Sequence, residues 1–326
     1  MNYRKLFLTL LLSLPATFTF AQLGEQYDKF IDAAWKQYEN KAYLASAQTY
    51  AKAFASAGDL GDVTDRYNAA CSWARASQPD SAFSQLFRFT RKGYYANLRH
   101  ISTDSDLLTL HDDPRWTEVI ALVTANKVKE EANYDKPLVA MLDTIFQEDQ
   151  TYRKQVVEIQ EKYGNDSQEM QAHWKKIMAI DSVNLIKVKK ILDERGWLGD
   201  SVIGSQGNTT LFLVIQHSDQ QTQEKYLPMM REAVRNGNAR PSALALLEDR
   251  VALGQGKRQT YGSQIGYDDS GAYVLPLDDP DHVNERRASV GLGKLQDYVS
   301  QWEITWDAEA YKKKLPEIER KNIRIE

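Results

Sequence analysis

The stretch 207-GNTTLFLVIQHSD-219 decides the fold. Five consecutive apolar residues, Leu211 to Ile215, run into Gln216, His217 and Asp219. The β-branched content allows a strand. The Gly207-Asn208 start and the helical patterns on either side favour a buried helix. Downstream, "QEKYLPMMREAVRNG" (223–237) reads as an amphipathic helix ended by Gly237. "SALALLEDRVALGQG" (242–256) reads as another, with Glu248, Asp249 and Arg250 before its last turn. Upstream, Leu138, Leu142, Ile145, Tyr152, Val156, Ile159 and Tyr163 mark the apolar stripe of one long helix. Trp174, Ile177, Met178, Leu185, Val188 and Leu192 mark a second, stopping at Gly196. His173 lies on that helix with Glu169 one turn back, where a solvated or packed histidine is expected.

Residues 22–130 read as antiparallel helix pairs. In "AAWKQYENKAYLASAQTYAKAFASAGD" (33–59), Tyr43, Tyr50, Ala53 and Phe54 alternate bulky and small apolar residues at helical offsets. "RYNAACSWARASQPDSAFSQLFRFTRKGY" (66–94) repeats that logic with Ala69, Ala70 and Trp73, then Ala82, Leu86 and Phe89. Ala53 and Phe89 correspond at an offset of 36 residues, near the roughly 34-residue tetratricopeptide period. This stretch resembles a degenerate tetratricopeptide array, which implies a protein- or peptide-binding module. In "DSDLLTLHDDPRWTEVIALV" (104–123), Asp113 is placed to cap a helix that opens at Pro114. The charged "KVKEEANYDK" (127–136), followed by Pro137, marks a boundary.

The first residues indicate export. Arg4 and Lys5 precede the apolar run Leu6–Leu14, and Thr19-Phe20-Ala21 precedes Gln22, so residues 1–21 are expected to be a signal cleaved after Ala21. That reading makes the protein periplasmic or secreted. The apolar run is too short for the roughly 20 helical residues of a membrane span, and no later segment resembles one. The net charge of −4 disfavours nucleic acid, whose binding needs Lys and Arg against phosphates. Cys71 is the only cysteine, so no intramolecular disulfide forms, and it reads as a buried thiol.

The one β signal is "GKRQTYGSQIGYDDSGAYVLPL" (256–277). Gln259 to Ile265 reads as one strand, Tyr267 to Gly271 as the turn, and Ala272 to Leu277 as the return. Period two puts Gln259 and Tyr261 on one face and Gln264 on the other, so a shared role requires a bulge, most easily at Gly262. In "DDPDHVNERRASVGL" (278–292), Asp279 would cap a short helix with Pro280 at its first position. The fold expected is therefore mainly α: helix pairs, a helical domain over 137–300 with a hairpin at 259–277, and a charged tail, 301–326.

The spaced blocks QHSD, LEDR, RQTYGSQ and ERRASVGL resemble domain-of-unknown-function family 6624 over residues 137–300. Ser218 and Ser263 depart from the family's common Ala and Thr without removing a titratable group. The resemblance implies a shared site and no named reaction. Carried over, that site is Gln216, His217, Asp219, Asp249, Arg250, Gln259, Tyr261, Gln264, Arg286 and Arg287. Each has a plain reading too. His217 could be a core histidine, Asp249-Arg250 an ion pair, Arg286-Arg287 a solvated face, and Asp278, Asp279 and Asp281 helix-start acids. Together they form an inventory for acid–base work or for binding a polar ligand. In the chemical version His217 or Asp249 moves protons while Arg250 or Arg286 holds an anion. Gln259 and Gln264 orient the substrate.

Several chemistries lack their motifs. There is no GxSxG, Walker or HExxH motif, and "GLG" (291–293) is too short for a phosphate fingerprint. A zinc site would need the distant His217 and His282 to converge with a carboxylate; no metal or cofactor is expected. A Glu248–hairpin aspartate pair would mimic lysozyme-like glycosidases by architectural analogy alone. Two functions follow: an exported binding protein with a polar-ligand pocket, or an envelope hydrolase or transferase acting on a glycan or peptide.

Overall fold

The computed structural model describes residues 24–268 and 271–322. The signal read at residues 1–21 and the tip of the hairpin turn lie outside the described residues. The chain divides into two compact units between Asn133 and Tyr134.

The first unit is helical. Helices α1 (Glu25–Glu39) and α2 (Tyr43–Ser56) pack together, as do α3 (Val63–Arg75) and α4 (Pro79–Thr90), and α2 packs on α3. Ala34, Ala47, Ala53, Ala69 and Ala82 are fully buried and admit close helix approach, while Tyr50, Phe83 and Phe89 fill the gaps. A short α5 (Leu98–Thr103) leads to α6 (Pro114–Glu130). Asp113 caps α6 by accepting the Arg115 N–H, and Pro114 opens it. Cys71 is buried, its thiol 3.8 Å from an Asp104 oxygen, and burial pushes its pKa well up. A thiol so protonated is inert.

The second unit is built around α10 (Asp200–Gln216), which packs against α7 (Lys136–Arg153), α9 (Gln168–Arg195), α11 (Gln220–Arg235) and α12 (Pro241–Gly254). The decisive stretch is therefore a helix. Leu211, Phe212, Val214 and Ile215 are all buried, as expected of a helix apolar on every side. Thr209 and Thr210 donate to the Ser205 and Gln206 carbonyls one turn back at 2.9 and 2.8 Å, so their hydroxyls need no other partner. The helix begins at Asp200, earlier than Gly207, and bends at Gly204, whose φ of 68° only glycine adopts readily. Gly207 instead admits α7: a Cβ there would lie 3.2 Å from Leu142.

Two expected helices differ in detail. The stripe from Leu138 to Tyr163 is split, because α7 ends at Arg153 and a separate α8 (Val156–Tyr163) follows. Leu138, Leu142 and Ile145 are buried, whereas no residue of α8 is. On α9 Ile177, Val188 and Leu192 are buried as expected, but Trp174 and Met178 are 45% and 57% exposed. Polar His173 and Asn184 occupy the buried face instead. A ring nitrogen of His173 lies 2.8 Å from the Tyr152 carbonyl, which makes it a packed histidine.

The hairpin is shorter than its pattern. Strand β1 (Ile265–Asp268) pairs antiparallel with β2 (Gly271–Val274), Ile265 opposite Val274. Residues 259–264 form no continuous strand; Gln259 makes only an isolated bridge to Leu277. Gly262 breaks the ladder with a φ of 70°, at the position where a bulge was expected. Beyond the hairpin come α13 (Val283–Ser289), α14 (Leu295–Val299) and α15 (Ala308–Asn322). Asp279 does not cap by its side chain; that carboxylate pairs with His282 and Arg286 instead. The charged stretch after Trp302 packs back, burying Tyr311, Leu315 and Ile318 against Val274 and Leu277.

Gly262 provides a direct check on this loop. A Cβ would lie 3.0 Å from Leu295 Cδ1, in a backbone region that costs an L-residue about 1–2 kcal/mol. Gly262→Ala is therefore expected to lower urea-unfolding stability by at least that amount. Gly293→Ala, which meets no atom within 4 Å, should change it by less than about 0.5 kcal/mol. Equal effects would contradict the tight turn.

Candidate functional site

His217 ends α10, where an apolar helix runs out and a polar side chain can emerge. Its Nδ1 lies 2.9 Å from Asp149 Oδ1 on α7. Asp149 is only 2% exposed. Arg153, one turn on, bonds the same oxygen at 3.1 Å and makes a two-pronged pair with Asp181 of α9 at 2.9 and 2.7 Å. Gln150 donates to the other Asp149 oxygen at 2.7 Å. Burial alone would raise the Asp149 pKa, but the hydrogen bond and charge of His217, then Arg153 and Gln150, bring it below the usual carboxylate value. Among the described residues nothing bonds the second ring nitrogen of His217, whose side chain is 20% exposed.

Three buried amides with unpartnered atoms lie on α10 and its neighbouring helices. Gln216 Oε1 and Gln223 Oε1 have no partner, although Gln223 Nε2 donates to the Gln216 and Ser218 carbonyls. Neither amide atom of Asn184 has one, and Asn184 is 1% exposed. Glu148 pairs with Lys187 and Arg153 with Asp181, so α7 and α9 run antiparallel and Asn184 sits at the level of Asp149. Buried polar atoms without partners are costly and rare, and these three side chains lie on α10 and on α9 and α11, which pack against it.

The other sequence-derived residues divide sharply. Asp249 is fully buried, and its carboxylate accepts the backbone N–H groups of Thr260 (2.6 Å), Tyr261 (3.0 Å) and Ser263 (3.0 Å). Burial pushes its pKa up and those amides hold it back. Gln259, also fully buried, accepts the Gln264 N–H at 2.8 Å and donates to the Gln264 and Leu275 carbonyls at 3.0 and 2.9 Å. Its amide thus replaces a strand neighbour for Gln264. The Gln264 side chain donates to Ser263 Oγ. Arg286 donates to the Thr260, Asp278 and Asp279 carbonyls. Arg287, 2% exposed, donates to the Gly293 and Tyr261 carbonyls and lies 5.0 Å over the Tyr298 ring. Tyr261 contributes its backbone to this clamp. Asp219 caps α11 through Thr222, whose amide and hydroxyl hold its carboxyl below the usual range.

Arg250 stands apart. Among the described residues it makes neither a hydrogen bond nor an ion pair, and its Nε is sealed from solvent without a partner. The electrostatic neighbours of Arg250 are Tyr298 and Arg153, the latter bonded to Asp149. So the structure joins His217 to Asp149 and Arg153, sets Gln223 against the backbone of Gln216 and Ser218, and leaves Arg250 an electrostatic neighbour of Arg153. It gathers Asp249, Gln259, Tyr261, Gln264, Arg286 and Arg287 into a separate knot that shapes the loop.

The sequence offered one signal for the missed carboxylate: Asp149 and Arg153 stand four apart in "EDQTYR" (148–153), but such pairs usually lie in solvent. Among the described residues no cluster with zinc-ligand spacing contains His217 or His282. His217 and His282 pair with different aspartates. Glu248 pairs with Arg231 at 2.8 Å, and the hairpin's Asp268 with Lys321. Among the described residues the one cluster with metal-ligand spacing is Cys71, Asp104 and Asp106. Its carboxylates already accept from the hydroxyls of Tyr67 and Tyr38.

A model of a family of unknown function (DUF6624) matches residues 133–314, more than half of the chain. No curated protein and no solved structure matches it.

Proposed function

We propose, for a chain that belongs to the DUF6624 family of unknown function, that residues 134–326 form a polar-ligand pocket centred on the His217–Asp149 dyad. One observation carries this reading. The dyad leaves a ring nitrogen of His217 without a protein partner, next in sequence to Gln216, whose Oε1 is also unpartnered, and Gln223 and Asn184 on the neighbouring helices add further unpartnered amide atoms. A bound polar molecule would supply what those atoms lack. In this proposal residues 1–21 direct export, so the ligand is met in the periplasm or outside the cell. The helix pairs of the first unit, read as tetratricopeptide-like, hold a protein or peptide partner.

The dyad itself favours a second reading. A carboxylate on Nδ1 fixes the tautomer and leaves Nε2 as a proton acceptor, as in acid–base catalysis. In this reading the protein is a hydrolase or transferase acting on an envelope glycan or peptide. His217 is the base, Asp149 its positioning residue and Arg250 the group that meets developing charge. Asp249 takes no part in proton transfer, since its oxygens are engaged by backbone amides.

Ligand-observed NMR of the purified protein against sugars, peptides, amino acids and organic anions tests both readings. A bound compound is expected to lose about tenfold or more in affinity in His217→Ala, measured on variant protein that circular dichroism shows to be folded despite the lost bond to Asp149. Turnover of a bound glycan, ester or peptide, lost in the same variant, would select the enzyme. Binding indifferent to His217 would remove the pocket.

A further inference from the structure

Arg250 differs from the other described arginines of the second unit, which have an acceptor or, for Arg240, whose sealed Nη2 makes no hydrogen bond, a carboxylate at 3.9 Å. Arg153 has Asp149 and Asp181, Arg231 has Glu248, and Arg286 and Arg287 have loop carbonyls. Arg250 has none, although it is half-buried and adjoins Asp249. The reason is local: Asp249 turns both oxygens to the amides of residues 260–263. Tyr298 is close enough to matter electrostatically, but its hydroxyl donates to the Ser263 carbonyl, and burial raises its pKa. A neutral phenol supplies no counter-charge. Burial, reinforced by the positive Arg153, lowers the pKa of Arg250. The sealed Nε edge of this guanidinium is uncompensated, an arrangement proteins avoid. Its Nε is sealed, whereas its terminal nitrogens are not among the sealed unpartnered atoms, so its outer edge is open to a guest.

We propose that the ligand of this pocket carries an oxyanion, a carboxylate or a phosphate, that pairs with the Arg250 guanidinium. The inference rests on the pocket proposed above and adds the charge of its ligand. Both groups offer the paired oxygens that match a guanidinium fork. The Arg250 charge is maintained in the empty protein at a cost to stability, and the oxyanion removes that cost on binding.

The test uses the full chain with sodium phosphate and sodium acetate as separate probes, against sodium chloride at equal ionic strength. The wild-type protein should gain melting temperature saturably with one of the two, and which one separates phosphate from carboxylate. Its Arg250 Nε–H resonance should move with the same saturation. Arg250→Met should melt about 2–4 °C above the wild type without anion, since an apolar side chain of similar length replaces an unpaired charge. Its response to the anion should fall tenfold or more. A lower melting temperature for Arg250→Met would reveal an internal partner and overturn the proposal, as would equal responses of both proteins. Failure with both anions, alongside a neutral ligand whose binding needs His217, would overturn the oxyanion and leave the pocket standing. Absence of any His217-dependent ligand would remove both.

Discussion

Replacing Asp249 with Ala is expected to cost roughly 3–6 kcal/mol, the largest effect of any single polar substitution in the second unit. The carboxylate is fully buried and receives the N–H groups of Thr260, Tyr261 and Ser263 within 3.0 Å. Alanine leaves those three donors facing a void, and each buried donor left unpaired costs about 1–3 kcal/mol. The damage spreads through the same loop. Arg286 and Arg287 grip the Thr260 and Tyr261 carbonyls, and Gln259 grips both backbone groups of Gln264. Domains are typically stable by only about 5–15 kcal/mol, so residues 258–300 should open well before the α7–α12 core. Urea unfolding gives the total loss, and amide exchange at Thr260, Tyr261 and Ser263 locates it. Asp249→Asn keeps one acceptor but turns an NH₂ towards the remaining donors, so it should rescue little. A loss below about 1 kcal/mol in Asp249→Ala would mean that the loop is held by something else.

Why Asp249 invited a chemical role shows where residue patterns stop. An Asp-Arg pair near a helix end displays two charges, but nothing in "LEDR" tells which backbone amides will reach the acid from a loop eleven residues on. The helices were readable because their cause is local. Leu211 to Ile215 allowed a strand, but the helical stripes on either side favoured the helix, and Asp113-Pro114 carries its own cap. His217 entered through the family resemblance, and the structure sets it at the end of the buried α10 with its side chain 20% exposed. Asp149 was not readable, because "FQEDQTYR" spreads acids and amides around a helix and only the packing of α9 and α10 selects the buried one. Gln259 presents the converse case. Its side chain substitutes for a strand neighbour, so an alternating pattern was drawn where Gly262 and Asp249 impose a loop. Arg250 could be named from sequence, but its want of a partner is a three-dimensional fact that follows from Asp249 looking elsewhere.

Asp149→Ala should be the second most damaging substitution and the one that links stability to the site. Removing one member of a buried charged network costs about 3–5 kcal/mol when its partner is stranded. Here Arg153 keeps its two-pronged pair with Asp181, so the expected loss lies near the lower end, about 3 kcal/mol. His217 loses its orienting acceptor, and ligand binding should fall with it. The double variant Asp149→Ala/His217→Ala should then cost less than the sum of the single changes, because both remove the same bond. Acid gives an independent reading. The folded pKa of Asp149 is depressed by His217 and Arg153 despite burial. Its stabilisation is therefore fully present above the unfolded value of about 3.9 and drains away as the pH falls through the lower folded value. The wild type should lose stability below about pH 4 more steeply than Asp149→Asn, whose amide does not titrate. Parallel acid limbs would mean that the carboxylate is not the ionised partner of His217, and the dyad would lose its electrostatic basis.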